Sequence, residues 1–276
     1  MYNLGLIGHP VKHSLSPWIH NCFFEKSGLK GKYELYEISP NRFDRDIKRL
    51  KQKLDGFNVT LPYKEKIIKH LDQLDVTAKE SGAVNTVVKK NDRWIGYNTD
   101  GIGFIRSLKT VFPKLLEEDS TRALIIGAGG ASRGIFQALH LEGLKQIDLA
   151  NRTINKAHLI AQYFQADTNV YSLTEAEGKL SLFDLIIQTT SVGMSPKDGE
   201  SIMNQFKLKD SAVVCDIVYQ PIETNFLKKA KEAKAHIHRG HTMLLYQALY
   251  AFEIWTGVQI ELEDLDVKLK LKLKGN

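Results

Sequence analysis

The sequence predicts an α/β protein of two domains, and three observations carry the prediction. The chain has 276 residues, more than the ~100–200 of one average domain. From residue 123 onward, short aliphatic runs alternate with helical patterns, which is the mark of βαβ units and a parallel sheet. The first of those runs passes directly into Gly127-Ala128-Gly129-Gly130-Ala131-Ser132 and then into a helical pattern. Residues 105–240 therefore read as a Rossmann-like parallel-sheet domain. Residues 1–104, joined by 241–276, read as a separate N-terminal α/β domain.

The elements follow in order. Tyr2 to Gly8 is a short apolar run ending in glycine, read as a buried strand. His9 to Pro17, with two prolines and two serines, is a loop, and Pro17 suits the first turn of the helix that follows. Residues 32–38 form a second strand. Residues 42–54 carry helical spacing at Phe43, Ile47, Leu50 and Leu54. Residues 56–61 form a strand running into Pro62. Short helices are expected at 64–71 and 76–81, then a hairpin of 84–89 and 94–97 across Asn91-Asp92. Residues 113–120 are charged and read as a surface turn. In the second domain, strands are expected at 123–126, 147–150, 185–188 and 213–217. Helices are expected through Ile135, Leu139 and Leu141, and at 157–164. The last long helix, 242–256, is expected to fold back onto the first domain. The tail Lys268-Leu269-Lys270-Leu271-Lys272-Leu273-Lys274 alternates strictly. It fits a basic strand, a membrane-surface patch or a solvated frayed end, and the frayed end is the expectation because termini are commonly loose.

Composition narrows the function classes. Hydrophobic residues at 43% and charged residues at 25% are those of a globular chain with a sizeable core. A net charge of +6 is spread along the chain apart from the tail. That favours an acidic small substrate over a nucleic-acid partner, which needs a basic stripe. The two cysteines, Cys22 and Cys215, form no CxxC pair, so neither a disulfide frame nor a cysteine zinc site is expected. No basic start precedes a long apolar run, and no stretch approaches the ~20 apolar residues of a membrane span. The expectation is a cytoplasmic protein with no membrane partner. His236, His238 and His241 cluster near the end, without a carboxylate or cysteine at normal ligand spacing, and no metal is expected.

Gly127, Gly129 and Ser132 form a GxGxxS loop between a strand and a helix. The first glycine allows the tight turn, the second lets backbone approach a pyrophosphate, and the small third residue lets helix and strand pack closely. The helix N-terminus offers unpaired N–H groups and partial positive charge to the phosphates. Ala128, Gly130 and Ala131 complete the cradle. After the next strand come Asn151-Arg152-Thr153 and Lys156, where an NAD enzyme often carries an acid for the ribose 2′-hydroxyl. A carboxylate would repel a 2′-phosphate and a guanidinium would bind it in bidentate fashion. The expected cofactor is NADP.

The polar candidates lie mostly in the first domain. Ser14 and Ser16 stand two residues apart on one loop. Both hydroxyls facing an anion, and Ser16 capping the helix, are equally open readings. Thr60 and Lys64 follow a strand, Asn85 follows an apolar run, and Asp100 opens a helix that it is also suited to cap. A lone lysine is usually a surface lysine, so no single one of these residues establishes chemistry.

Together, however, an ordered set of segments resembles the shikimate dehydrogenase family over residues 5–255. The segments are Gly8-His9-Pro10 through Ser14-Leu15-Ser16-Pro17, Asn58-Val59-Thr60-Leu61-Pro62-Tyr63-Lys64, Gly82-Ala83-Val84-Asn85-Thr86 and Asn98-Thr99-Asp100-Gly101. The glycine loop, Asn151-Arg152-Thr153, Gly193-Met194, and Met243-Leu244 with Gln247 complete them. The resemblance implies NADPH-linked, reversible reduction of 3-dehydroshikimate to shikimate in aromatic amino acid biosynthesis. It implies that Ser14 and Ser16 hold the substrate carboxylate, and that Thr60, Lys64, Asn85, Asp100 and Gln247 hold its hydroxyls and reacting oxygen. Tyr219 matches a further substrate contact, Ile217 and Gly240 match positions near the nicotinamide, and Lys64 with Asp100 would be the catalytic pair. Such an enzyme is expected to act on its small-molecule substrate at the interface of its two domains, as a monomer or homodimer.

The pair makes chemical sense. Negative charge grows on a carbonyl oxygen as its carbon is reduced, and a positioned lysine can hold that charge or donate a proton. Burial lowers a lysine pKa and a nearby carboxylate raises it, so the two effects oppose. Two positions depart from the family pattern: Gly240-His241 stands where two glycines are common, and Gln188-Thr189-Thr190-Ser191 lacks the usual Asn and Pro. An NAD-using quinate/shikimate dehydrogenase and a non-catalytic NADP-binding regulator are the rival readings. Arg152 speaks against the first, and the joint presence of Lys64 and Asp100 against the second.

Overall fold

The computed structural model describes residues 1–118, 120–165, 167–262 and 264–274. Position 119 of the expected surface turn, and positions 263, 275 and 276 of the C-terminal segment, lie outside the described residues. In chain order the strands and helices are β1 (Tyr2–Gly8), α1 (Ser16–Ser27), β2 (Gly31–Glu37), α2 (Phe43–Leu50), β3 (Gly56–Val59), β4 (Gln73–Leu74), α3 (Val76–Ser81), β5 (Thr86–Lys90), β6 (Arg93–Tyr97) and α4 (Asp100–Val111). The chain continues through β7 (Arg122–Ile126), α5 (Gly130–Leu141), β8 (Gln146–Ala150), α6 (Ile154–Phe164), β9 (Val170–Tyr171), α7 (Leu173–Glu177), β10 (Leu185–Gln188), β11 (Val213–Asp216), α8 (Asn225–Glu232), β12 (His236–Arg239), α9 (Gly240–Thr256) and α10 (Leu265–Lys274). It divides into two compact units: Met1–Gly103 with Leu245–Leu262, and Phe104–Leu244 with Glu263–Asn276.

The first unit is a mixed sheet in the order β2-β1-β3-β5-β6-β4. β1 runs parallel to β2 and β3, and β5 runs antiparallel to β3 and β6. The β5–β6 hairpin turns through Asn91 and Asp92, both at positive φ. This is the backbone that two-residue hairpin loops demand and that Asn and Asp tolerate best. One core packs Phe43, Ile47, Phe57, Tyr63, Ile67, Val87 and Trp94 together. A second is aromatic. The His20 ring stacks on Tyr33 at 4.2 Å, and Phe23, Phe24, Phe252 and Trp255 surround the stack. Trp255, near the end of α9, donates Nε1–H to the Val87 carbonyl at 2.9 Å. Gly56 is required beside it, because a Cβ there would lie 2.6 Å from the indole Cδ1.

The second unit is a fully parallel sheet, β12-β11-β10-β7-β8-β9. Its inner strands β7, β10 and β11 are buried on both faces, so they read as continuous apolar runs rather than alternating ones. Ala123, Ile125, Leu185 and Ile187 face one core, and Leu124, Ile126 and Ile186 face the other. Counted from β7, the order is 3-2-1-4-5-6, the doubly wound arrangement with its switch point at the carboxyl ends of β7 and β10.

Several expectations change. The helix expected over 64–71 is a 3₁₀ turn, Lys66–His70, so Lys64 lies outside it. The helix expected over 42–54 stops at Leu50, and turns follow. β9, α7, α8 and β12 had no assigned pattern. The tail is a helix. A period of two also supplies i, i+4 neighbours, and Leu265, Leu269 and Leu273 form the buried face of α10 while Leu271 is 64% exposed. The i, i+4 pairs Asp264–Lys268 and Asp266–Lys270, both at 2.6 Å, support it. α10 groups with the second unit rather than with residues 1–103. One tie is His241, buried at the start of α9 with Nε2 3.0 Å from Asp266 Oδ1. That contact, followed by Lys270, pulls the Asp266 carboxyl down to about 2.

Candidate active site

The first unit gathers its polar residues at the carboxyl end of β3 and the amino end of α4. Two anchors fix Lys64. Its neighbour Tyr63 is buried, stacks on Phe43 at 4.2 Å and donates its phenol hydrogen to the Ile38 carbonyl. Lys64's own carbonyl accepts from Val84 N at 2.8 Å. The ammonium then meets Asp100 Oδ2 at 2.6 Å, with the side chains 20% and 8% exposed.

Asp100 is the first residue of α4, and its backbone N donates to Asn98 Oδ1 at 3.0 Å. Asn98 is itself held through Nδ2, which donates to Ser81 Oγ and to the Ala83 carbonyl. The second oxygen of the Asp100 carboxylate, Oδ1, accepts from Asn85 Nδ2 at 2.8 Å. The amide orientation is fixed by chemistry, because Asn85 Oδ1 accepts from Thr99 N, which can only donate, at 2.8 Å. Asn85 Nδ2 also donates to Thr99 Oγ1, and Oδ1 also accepts from Thr86 Oγ1. Gln247 on α9 lies against this region. A Cβ on Gly103, one turn into α4, would come within 2.7 Å of the Gln247 N, Cα and Cβ.

Ser14 and Ser16 form a second group. Ser14 Oγ donates to Ser16 Oγ at 3.1 Å and accepts from Ser16 N at 3.2 Å. Leu15 is the N-cap residue of α1 and no side chain caps it, so Ser16 does not serve as the cap. Thr60 is half-buried at the end of β3, its backbone N bonded to the Ile7 carbonyl.

In the second unit the glycine loop follows β7. Gly127 has φ +124°, and a Cβ there would strike Thr189, so only glycine fits. Ser132 is buried and donates to the Gly127 carbonyl at 2.7 Å, tying α5 to the turn. Gly129 differs. Its φ is −99°, and nothing lies within 4 Å of where its Cβ would stand. Among the described residues nothing crowds a side chain at that exposed point. Gly129 is also the N-cap of α5, with no side-chain cap bond. Ala128, Gly130 and Ala131 line the same turn, half-buried. Beyond β8, Asn151 Nδ2 donates to the Thr153 carbonyl at 2.8 Å, and Arg152 and Lys156 are exposed. These features suit a phosphate-rich dinucleotide: an open cradle at a helix N-terminus, with two cations and no acid after the next strand.

Ile217 and Gly240 meet, because a Cβ on Gly240 would overlap the Ile217 and Val218 carbonyls. Tyr219 is half-buried, and burial pushes its phenol pKa up. Asp216, beside them, was given no role from sequence. It is 2% exposed, and Oδ1 accepts from Gln188 Nε2 at 3.1 Å and Val218 N at 2.9 Å, while Oδ2 accepts from Thr224 Oγ1 at 2.6 Å. Burial raises its carboxyl to about 7. Gln188, which replaces the more usual Asn, thus still anchors its loop. His238 bonds Ser107 Oγ and Thr242 Oγ1 at 3.0 and 3.2 Å, and burial lowers it to about 4. Tyr63 and Asn98 sat within quoted motifs, but the Ile38, Ser81 and Ala83 groups that hold them lie 25, 17 and 15 positions away, so no spacing signal marked them as supports.

Comparison with known proteins follows the same division. Residues 6–87 match the shikimate dehydrogenase substrate binding domain, residues 109–229 the shikimate / quinate 5-dehydrogenase family, and residues 240–264 the shikimate 5′-dehydrogenase C-terminal domain. The chain is 50% identical over 275 residues to shikimate dehydrogenase (NADP(+)) of Oceanobacillus iheyensis, covering 99% of each. It is 42% identical to the Bacillus licheniformis protein of that name, covering 98% of this chain and 97% of the relative. It also superposes on shikimate 5-dehydrogenase of Thermus thermophilus, solved with NADP(H) and shikimate, with TM-score 0.88 and 32% identity over 99% of this chain and 100% of the other. Among the described residues, no helix is long and apolar enough to cross a membrane. The chain belongs to the shikimate dehydrogenase family.

Proposed function

We propose that the chain catalyses the reversible, NADPH-linked reduction of 3-dehydroshikimate to shikimate, with Lys64 and Asp100 as its catalytic pair. The observation that carries the reading is the largely buried Lys64–Asp100 contact at 2.6 Å, held from both sides by side chains that have no surface role. NADPH, when bound, supplies the hydride for the ring carbonyl carbon. Lys64 stabilises and protonates the carbonyl oxygen as charge grows on it, and takes the proton back in the reverse direction. Asp100 aims the ammonium through Oδ2, and Asn85 keeps the carboxylate from rotating. Thr60 and Gln247 take the remaining ring hydroxyls, with Tyr219 as a further contact, and Ser14 and Ser16 take the carboxylate. Gly127 to Ala131 cradle the pyrophosphate, Asn151, Thr153, Arg152 and Lys156 hold the adenosine end, and Ile217 and Gly240 adjoin the nicotinamide. We read the enzyme as cytoplasmic, working as a monomer or homodimer, with residues 1–103 binding substrate and the parallel-sheet unit binding NADP.

Absorbance at 340 nm tests this, with shikimate and quinate against NADP and NAD, on the wild type and Lys64→Ala. We expect NADP-dependent turnover of shikimate. We expect Lys64→Ala to lower kcat by about 10²–10⁴-fold while the Kd for NADP, read by fluorescence, stays put. Tight NADP binding without turnover of any of these substrates would refute the reading and favour a non-catalytic regulator.

A further inference from the structure

The carboxyl ends of β7, β10 and β11 are tied together by one run of hydrogen bonds within the second unit. At β7, the Ile126 carbonyl accepts from Thr189 N and from Thr189 Oγ1, each at 2.8 Å. Thr189 thereby lies against the Gly127 turn, on the spot that a Cβ at residue 127 would need. Its neighbour Gln188 is fully buried. Gln188 Nε2 donates to the Val192 carbonyl and to Asp216 Oδ1, both at 3.1 Å, and Oε1 accepts from Thr190 N. The orientation is forced, because Thr190 N can only donate and the Val192 carbonyl can only accept. Asp216 Oδ1 also accepts from Val218 N at 2.9 Å, and Ile217 N donates to the Gln188 carbonyl at 3.1 Å. Ile217 then meets Gly240. Gln188 thus does two things with one amide. Reaching the N–H two residues on closes the local turn, which a shorter Asn also does. Reaching Asp216, 28 positions away, crosses to the next strand.

We propose that Gln188 is a positioning residue for hydride transfer: through Thr189 on one side and Asp216 on the other, it holds the β10 loop as a spacer between the Gly127 turn and the Ile217–Gly240 wall. The inference rests on the function proposed above, in which that turn cradles the pyrophosphate and that wall adjoins the nicotinamide. Gln188 has no exposed surface, so it acts only through its neighbours. A dinucleotide gripped at its pyrophosphate by one segment and at its ring by another is aimed by the spacing of the two. Drift of the wall against the turn tilts the ring away from the close approach, about 3–3.5 Å between reacting atoms, that the transfer needs.

The test reads two quantities on the wild type, Gln188→Met, Asp216→Ala and Asp216→Asn. The first is the rate of NADPH oxidation in a single turnover with excess 3-dehydroshikimate, followed at 340 nm. The second is the Kd for 2′-phospho-ADP-ribose, which is NADP without its nicotinamide. Gln188→Met keeps the bulk of the side chain and removes its three hydrogen bonds. It should slow the single turnover by about 10–100-fold and leave that Kd within about twofold. Asp216→Ala should slow the step as well. Asp216→Asn, which keeps an acceptor for Gln188 and Val218, should recover most of the loss, and this rescue is the independent check should Gln188→Met fail to fold. Weaker binding of the nicotinamide-free ligand in step with the slower rate would make Gln188 a merely structural residue and overturn the spacer. An unchanged rate in Gln188→Met, or an Asp216→Asn no faster than Asp216→Ala, would also overturn it, while leaving the dehydrogenase reading intact. Absence of wild-type turnover would remove that reading, and the spacer with it.

Discussion

Replacing Asp216 by Asn should make the second unit acid-sensitive in a window where the wild type is not. Two buried groups in that unit titrate with opposite sign. His238 falls from 6.5 to about 4 on burial. Between those values the unfolded chain binds a proton that the folded unit does not, so stability is present above pH 6.5 and is lost as pH falls towards 4. Asp216 rises from 3.8 to about 7. Between those values the folded unit binds the extra proton, so this contribution is present below pH 3.8 and is lost as pH rises through 7. Each group contributes a slope of about 1.4 kcal/mol per pH unit, and from pH 6 to pH 5 the two nearly cancel. Asp216→Asn removes one of them. The substitution is nearly isosteric: Oδ1 keeps its bonds from Gln188 and Val218 N, and the new amide can donate to Thr224 Oγ1 once that hydroxyl turns. The variant should therefore lose about 1.4 kcal/mol between pH 6 and pH 5, a tenfold rise in the unfolding constant, and should be more stable than wild type at pH 8. Urea unfolding read by hydrogen exchange in peptides from β7, β10 and β11 separates this unit from the other. Tryptophan fluorescence cannot, because Trp18, Trp94 and Trp255 all lie in the first unit. A flat pH response in the variant, or an equally steep one in the wild type, would refute the opposed-pair reasoning.

Arg152→Ala should raise the KM for NADPH by about 10-fold or more, the weight of a charge-assisted bond, and leave the KM for NADH nearly unchanged; equal losses with both cofactors would mean that Arg152 does not read the 2′-phosphate. Leu269→Ala on α10 should destabilise the second unit by roughly 2–5 kcal/mol, whereas Leu271→Ala, at the 64% exposed position, should stay within about 0.5 kcal/mol. Similar effects of the two in denaturation would argue that the tail helix is not docked on its 265–269–273 face.

Much of the second unit was legible in the sequence because its information is local. A strand buried on both faces is a run of aliphatics, and the glycine loop needs its glycines for reasons of φ and approach that are confined to a few residues. The tail was harder. Strict Lys–Leu alternation satisfies a strand pattern at every second residue and a helical stripe at every fourth, and only the packing of Leu265, Leu269 and Leu273 on one face selects the helix. α8 and β12 escaped notice because His236-Ile237-His238-Arg239 carries no clear strand pattern; its place beside β11 is set by pairing across the sheet.

The order of residues already contains the alternation that makes a parallel sheet, the loop that suits a dinucleotide, and the residue types available for catalysis. Which of those residues meet is settled by the folded chain. Lys64 reaches Asp100 across 36 positions, and Ser107 reaches His238 across 131. Folding also settles that Asn98 receives the Asp100 N–H and that Asp216 is buried enough to hold its proton near neutral pH. Such roles depend on direction and desolvation, which arise only when distant segments exclude water together, and a one-dimensional pattern carries neither.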